Sequence, residues 1–205
     1  MIQKSWFDSL MKLGLRKQHS WLANLPSKIE YIANFGCWSG GEPFSLIWTL
    51  DAKEVMVVEI EQKNLKELFK EHDIVRSRYP ESLQERTIKT VCRDMTKPLP
   101  ELPNQHYDLA YCENVLYSLH LQGSTELLEK GILQMIRVVK QNGFIVAAEP
   151  NFGVEFETKK VHGVDMSTSI PESAPKDMSP FFESKGLKKL LIPNSPTYAY
   201  CYQKL

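Results

Sequence analysis

Five short apolar runs alternate with stretches of helical periodicity along most of this chain, and few architectures accept that order. The runs cover 28–35, 55–60, 88–92, 107–113 and 144–148, and the clearest helical stretches cover 43–50, 62–79 and 122–140. Leu65, Leu68, Phe69 and Val75 form an inward stripe in the second of these, and Leu127, Leu128, Ile132, Met135, Ile136 and Val139 one in the third. Strands separated by whole helices cannot close as hairpins. They align in parallel, and a parallel sheet needs helices on both faces. Pro43 is tolerated in the opening turn of its helix, and Gln141-Asn142-Gly143 stops the third helix. The fold class is therefore α/β, a doubly wound sheet of five parallel strands.

The end of the chain reads differently. Gly153, Gly163, Pro171 and Pro175 break up a polar stretch, so 150–175 is a loop excursion. A short helix is predicted over 179–185. Two further strands, 187–192 and 198–202, are joined by Pro193-Asn194-Ser195-Pro196, closely enough to be antiparallel. At the other end, Trp6, Leu10, Leu13, Trp21 and Leu22 give 1–27 a loosely helical pattern. We read it as a cap packed on one domain spanning 1–205, or as a lid that brings Trp6 or Trp21 to the site.

Charge and cysteine usage remove several function classes. With 25 basic residues against 25 acidic ones, the chain has no global field to attract nucleic acid or an anionic membrane. Cys37, Cys92, Cys112 and Cys201 make no CxxC pair or other short ligand spacing, so no metal is predicted and a reducing compartment is. Lys4, Asp8, Lys12 and Arg16 interrupt any signal-like apolar core, and no stretch reaches membrane-spanning length. The expectation is a soluble, cytoplasmic protein. No sustained heptad speaks to its oligomeric state.

Residues 31–42, YIANFGCWSGGE, hold a strand, a tight turn and the start of a helix. Gly36, Gly40 and Gly41 let the backbone turn sharply, expose amides and admit a ligand closely. The next apolar run closes on Glu59, about 20 residues after Gly36, where nucleotide-binding folds place an acid to accept a ribose hydroxyl. The third run is followed by Asp94-Met95, and the fourth ends in Glu113-Asn114.

With these residues in order, the chain from about Lys28 to Leu205 resembles the class I methyltransferases dependent on S-adenosylmethionine. Their sheet has five parallel strands and a closing pair with one antiparallel member. The resemblance implies S-adenosyl-L-methionine as cofactor, with Gly36, Cys37, Ser39 and Gly40 beneath its methionine part. It implies that Glu59, with Ile60 beside it, holds the ribose, that Asp94 and Met95 face the adenine, and that Glu113 and Asn114 flank the methionyl moiety. Two segments are also similar to the chemotaxis-type protein-glutamate methyltransferases: GCWSGGEP at 36–43 approximates their Gly-Cys-Ser-Thr-Gly-Glu-Glu-Pro, and CENVL at 112–116 their Cys-Arg-Asn-Val-Leu. Glu113 stands in place of their arginine, so their substrate is not carried over. Asn34 takes the place of a common acid, and Trp38 that of a middle glycine.

The implied reaction transfers a methyl group from a sulfonium to a small-molecule or protein acceptor. Alignment supplies much of the rate, and an acceptor that must lose a proton also needs a base. Glu113, Tyr117 and His120 are the candidates near the fourth strand; Tyr117 also suits packing, and His120 an exposed helix start. Phe35, Trp38 or Tyr117 offer aromatic faces to the sulfonium, with core packing the alternative for Phe35. His162 and Asp165 lie in the excursion, and Glu149 either faces substrate or caps a turn. Two other readings stand beside this one. Asn34 and Trp38 motivate a relative that binds without transferring methyl groups, and the strand-glycine-helix unit also suits a nicotinamide-dependent oxidoreductase, against which the missing GxGxxG glycines count.

Overall fold

The computed structural model describes residues 17–37, 41–78, 85–123, 125–149, 177–195 and 199–205. Its centre is a seven-stranded sheet: β1 (Tyr31–Phe35), β2 (Glu54–Glu59), β3 (Thr87–Cys92), β4 (Tyr107–Glu113), β5 (Val139–Ala148), β6 (Lys188–Lys189) and β7 (Ala199–Gln203). The spatial order is β3-β2-β1-β4-β5-β7-β6. β1 to β5 pair in parallel, and β7 runs antiparallel to both β5 and β6. The expected five parallel strands and closing pair are what the sheet contains.

Helices cover both faces, as a parallel sheet requires. On one face α1 (Gly41–Thr49) and α2 (Gln62–Arg78) bury Phe44, Trp48, Leu65, Leu68 and Val75, joined by Trp21 and Leu22 from a 3-10 helix, Lys17–Asn24. On the other, α3 (Val115–Gly123), α4 (Thr125–Val138) and α5 (Ser179–Glu183) bury Leu116, Leu128, Ile132, Met135 and Phe182. Burying each such side chain contributes about 1.5–3 kcal/mol. Asp108 locks the strand starts together: its carboxylate accepts the Glu30 and Tyr31 amides at 2.9 Å each and pairs with Lys140.

Several expectations need correction. Phe69 is 48% exposed, because Leu65, Leu68, the part-buried His72 and Val75 already form the buried stripe of α2 and leave Phe69 at its flank. The 122–140 helix begins at Thr125 as α4, and its first two residues belong to a separate helix, α3, which starts at Val115 in a stretch given no element in the sequence reading. Asn114, at φ 59°, turns the chain out of β4 there. The third helix also ends earlier, at Val138, and Gln141-Asn142-Gly143 belongs to β5. Opposite it β4 shifts register between Tyr107 and Leu109, and a Cβ on Gly143 would lie 2.9 Å from the Asp108 carbonyl oxygen, so the glycine serves an irregular strand. The strand predicted over 187–192 shrinks to Lys188–Lys189, an exposed edge carrying two lysines.

Trp21 is 5% exposed within the core, which removes it as a lid residue. The 3-10 helix packs on α1. Trp6 and the 150–175 excursion, with His162 and Asp165, lie outside the described residues. No helix among the described residues is long and apolar enough to cross a membrane.

Candidate functional site

Strand order reverses between β1 and β4, where the β1-to-α1 and β4-to-α3 connections leave the sheet in opposite senses. Ligands of open α/β sheets bind in the crevice at such a point, outside the carboxyl ends of the strands. A cavity of about 240 Å³ opens there. Gly36, Glu59, Ile60, Asp94, Met95, Glu113 and Asn114 all line it. Four separate strand ends thus contribute to one space.

Gly36 has φ 78°, and a Cβ there would meet Val115 Cγ2 at 2.5 Å, so this position tolerates little but glycine. The next amide, on Cys37, donates to Glu59 Oε2 at 3.0 Å, and the Glu61 amide donates to Glu59 Oε1 at 2.9 Å. Glu59 is 5% exposed and is oriented from both sides before any ligand arrives. A carboxylate oxygen has a second lone pair, so each can still accept a hydroxyl. Asp94 is fixed in the same manner, Oδ1 accepting the Thr96 amide and hydroxyl at 2.8 Å each.

Asn34, Phe35 and Cys37 stand behind the cavity wall. Phe35 is fully buried in the sheet core, so its ring does not reach the cavity. Burial pushes the Cys37 thiol far up, helped by the nearby Glu59 and Glu42 carboxylates. Asn34 donates through Nδ2 to the Gly36 carbonyl oxygen at 3.1 Å and to Glu42 Oε1 at 2.5 Å. An acid at this position would confront Glu42 at that distance, which explains the amide. Trp38, Ser39 and Gly40 lie outside the described residues.

The three proton-transfer candidates separate. Glu113 lines the cavity, while Tyr117 packs in the core and burial raises its phenol. His120 falls in the last turn of α3, half-buried and off the cavity, instead of at an exposed helix start. Glu149 caps a helix, as one of its two readings had it, but the helix is α3, earlier in the chain: its carboxylate accepts the Val115, Leu116 and Tyr117 amides at 3.1, 3.0 and 3.1 Å.

Two residues escaped the sequence reading. His19, 1% exposed, reaches from the 3-10 helix with Nε2 3.3 Å from Glu113 Oε2 and Nδ1 2.8 Å from Ser45 Oγ. Glu42, in the first turn of α1, also lines the cavity, and the side chains of His19, Glu42 and Glu113 bring one atom each within 4.8 Å of one another. Glu42 was visible as the acid opening a helix. Nothing in the sequence ties His19 to a residue 94 positions away.

A family model described as "Methyltransferase domain" matches residues 33–147, from β1 through β5. The chain belongs to this methyltransferase domain family. No curated protein matches it by sequence. Solved structures of similar fold include a protein of Pyrococcus horikoshii (TM-score 0.65, 15% identity, covering 100% of this chain and 93% of that one). The N-methyltransferase NodS of Bradyrhizobium japonicum in complex with S-adenosyl-L-homocysteine superposes with TM-score 0.57 at 11% identity, covering 98% and 88%. The [4+2]-cyclase SpnF does so with TM-score 0.57 at 17% identity, covering 93% and 61%. At these identities the likeness concerns the fold. That a cyclase shares it shows that the methyltransferase-family architecture hosts more than one chemistry.

Proposed function

We propose that this chain is an S-adenosylmethionine-dependent methyltransferase acting on a small-molecule or protein acceptor. One observation carries the proposal: the acids at the ends of β2, β3 and β4 converge with the Gly36 turn on one cavity at the strand-order reversal. In this reading Glu59, pre-oriented by two amides, receives the two ribose hydroxyls. On the same reading Asp94 and Met95 would run along the adenine; both line the cavity, with Ile60, 60% exposed, at its lip. Glu113 and Asn114 then stand beside the methionyl end.

The cofactor, when bound, supplies a methyl group already activated by the positive sulfur. The chain's own contribution is to hold it, to orient an acceptor in line with the carbon–sulfur bond and to exclude competing water. Membership of the methyltransferase family and the lack of GxGxxG glycines count against the nicotinamide alternative.

Calorimetric titration with S-adenosylmethionine and S-adenosylhomocysteine tests the proposal. Both are expected to bind. Glu59→Ala should weaken S-adenosylhomocysteine roughly 10- to 100-fold, the worth of one or two hydrogen bonds to a charged acceptor. Absence of binding by the wild type at millimolar ligand would refute the proposal, and unchanged affinity in the variant would refute the role given to Glu59.

A further inference from the structure

Glu149, just beyond the end of β5, is fully buried and does not line the cavity. Its two oxygens accept three amides from the first turn of α3, those of Val115, Leu116 and Tyr117. The carbonyl oxygen of the preceding residue, Ala148, accepts the Asn114 amide at 3.0 Å. Two consecutive residues thus hold the turn by which the chain leaves β4. That turn is also a wall of the cavity, lined by Asn114, Val115, Ser118 and Leu119. Val115 Cγ2 would lie 2.5 Å from a Cβ on Gly36, so the wall bears directly on the glycine turn.

The two protonation states of this carboxyl hold the wall differently. A carboxylate offers lone pairs on both oxygens to three N–H groups at the positive end of a helix. A protonated carboxyl brings its own O–H donor among those donors and accepts more weakly. Among the described residues, the ionisable groups around Glu149 are the Cys112 thiol on β4, with Sγ 3.6 Å from Oε1, and the Tyr200 phenol on β7; Glu42 on α1 acts on the same thiol, and Asp177 on the same phenol. Burial, and after it the Glu149 charge, keeps the thiol protonated. Burial likewise raises the phenol, followed by the Asp177 and Glu149 charges. None of these groups is a cation. Burial also pushes Glu149 up to about 7, so both of its states are populated at neutral pH.

Resting on the methyltransferase reading, we infer that Glu149 is a positioning residue for the cofactor: its ionised carboxylate braces the α3 wall, so that cofactor binding and release of the Glu149 proton to solvent favour one another. A cofactor bound against the Gly36 turn and α3 needs that wall in place. The carboxylate form holds it best, so the bound protein keeps the proton less tightly than the free protein does. Linkage fixes the sign: affinity is lowest below the titration of Glu149 and rises with pH to a plateau above it. Glu149 acts through the three amides of α3 and through Val115, without touching the ligand.

Calorimetric titration of the full chain with S-adenosylhomocysteine at pH 6 and pH 8 tests this. A preference of about tenfold by the bound protein for the ionised carboxylate, in a group titrating near 7, gives about a 5-fold gain in affinity across that range. The side chain of Glu149→Gln does not titrate there, so the wild type's gain should exceed the variant's by about that factor. A cap that merely supports the fold would weaken binding equally at both pH values when removed, so equal gains in wild type and variant would overturn the inference. Thermal unfolding shows whether the variant folds. If it does not, the wild type decides alone: at pH 6.5, titrations in two buffers of different ionisation enthalpy should show about half a proton released per ligand bound, and no release would overturn the inference. Absence of S-adenosylhomocysteine binding by the wild type at either pH would overturn the methyltransferase reading and this inference with it.

Discussion

Gly36 and Glu59 are the residues whose sequence spacing translated most directly into geometry. The separation of 23 positions, 36 to 59, collapses in space to a single hydrogen bond from the residue after the glycine. Gly36→Ala should lower stability by about 1–2 kcal/mol, the cost of a left-handed backbone for a residue with a Cβ. It should also weaken S-adenosylhomocysteine, because the displaced Val115 side chain lines the cavity. Thermal unfolding and calorimetry on the same preparation check both parts; an unchanged midpoint would contradict the strain assigned to φ 78°. Asn34 and His19 show the limit of the sequence. Asn34 was legible as a departure from a pattern, but its reason is Glu42, and that is a tertiary contact. His19 was invisible because apolar spacing was the only signal its segment carried, and a histidine in such a run gives no sign of the partner it meets.

At the scale of elements, the strands were legible because parallel strands buried on both faces read as near-continuous apolar runs. The helix α3 was not, since its start depends on Glu149, whose carboxylate satisfies three amides from just beyond the end of β5, 32 to 34 residues later. Burial pushes the Glu149 carboxyl up to about 7 from an ordinary 4.5, and desolvation outweighs the amides that favour its charge. Its native state therefore keeps a proton that the unfolded chain releases. Between pH 4.5 and about 7 the folded form binds more protons, so this group's stabilising effect is present below pH 4.5 and is lost as pH rises through 7. The loss amounts to about 3 kcal/mol. Urea unfolding of wild type and Glu149→Gln at pH 5 and pH 7.5 isolates it: the wild type should lose more stability across that rise than the variant, and parallel losses would contradict the shift. A second prediction concerns the loop between β3 and β4. Arg137 on α4 donates to the Leu99 and Leu102 carbonyl oxygens at 3.2 and 2.9 Å and to Asn104 Oδ1 at 2.6 Å. Arg137→Ala should cost about 1–3 kcal/mol, and lysine should restore little, since it lacks the planar fork. Denaturant midpoints decide it; full rescue by lysine would contradict the geometry.

The whole molecule joins a sheet fixed by alternation of elements to a site fixed by their ends. The architecture was readable because hydrophobic period and helix length leave a doubly wound sheet as the consistent solution. The site was readable where turn chemistry and spacing placed a residue on the cavity wall, as for Glu59, Asp94 and Glu113, and unreadable where a side chain crosses from a distant segment. The same division explains the catalytic candidates: Tyr117 and His120 follow β4 in sequence, but the turn at Asn114 sends them along α3 and off the cavity. A crystal structure of the complex with S-adenosylhomocysteine tests the central claim most directly. The ribose hydroxyls should lie within hydrogen-bond distance of Glu59, the adenine along Asp94 and Met95, and the sulfur should face Glu113. A ligand bound away from the β1–β4 reversal, or one whose ribose makes no contact with Glu59, would contradict the account.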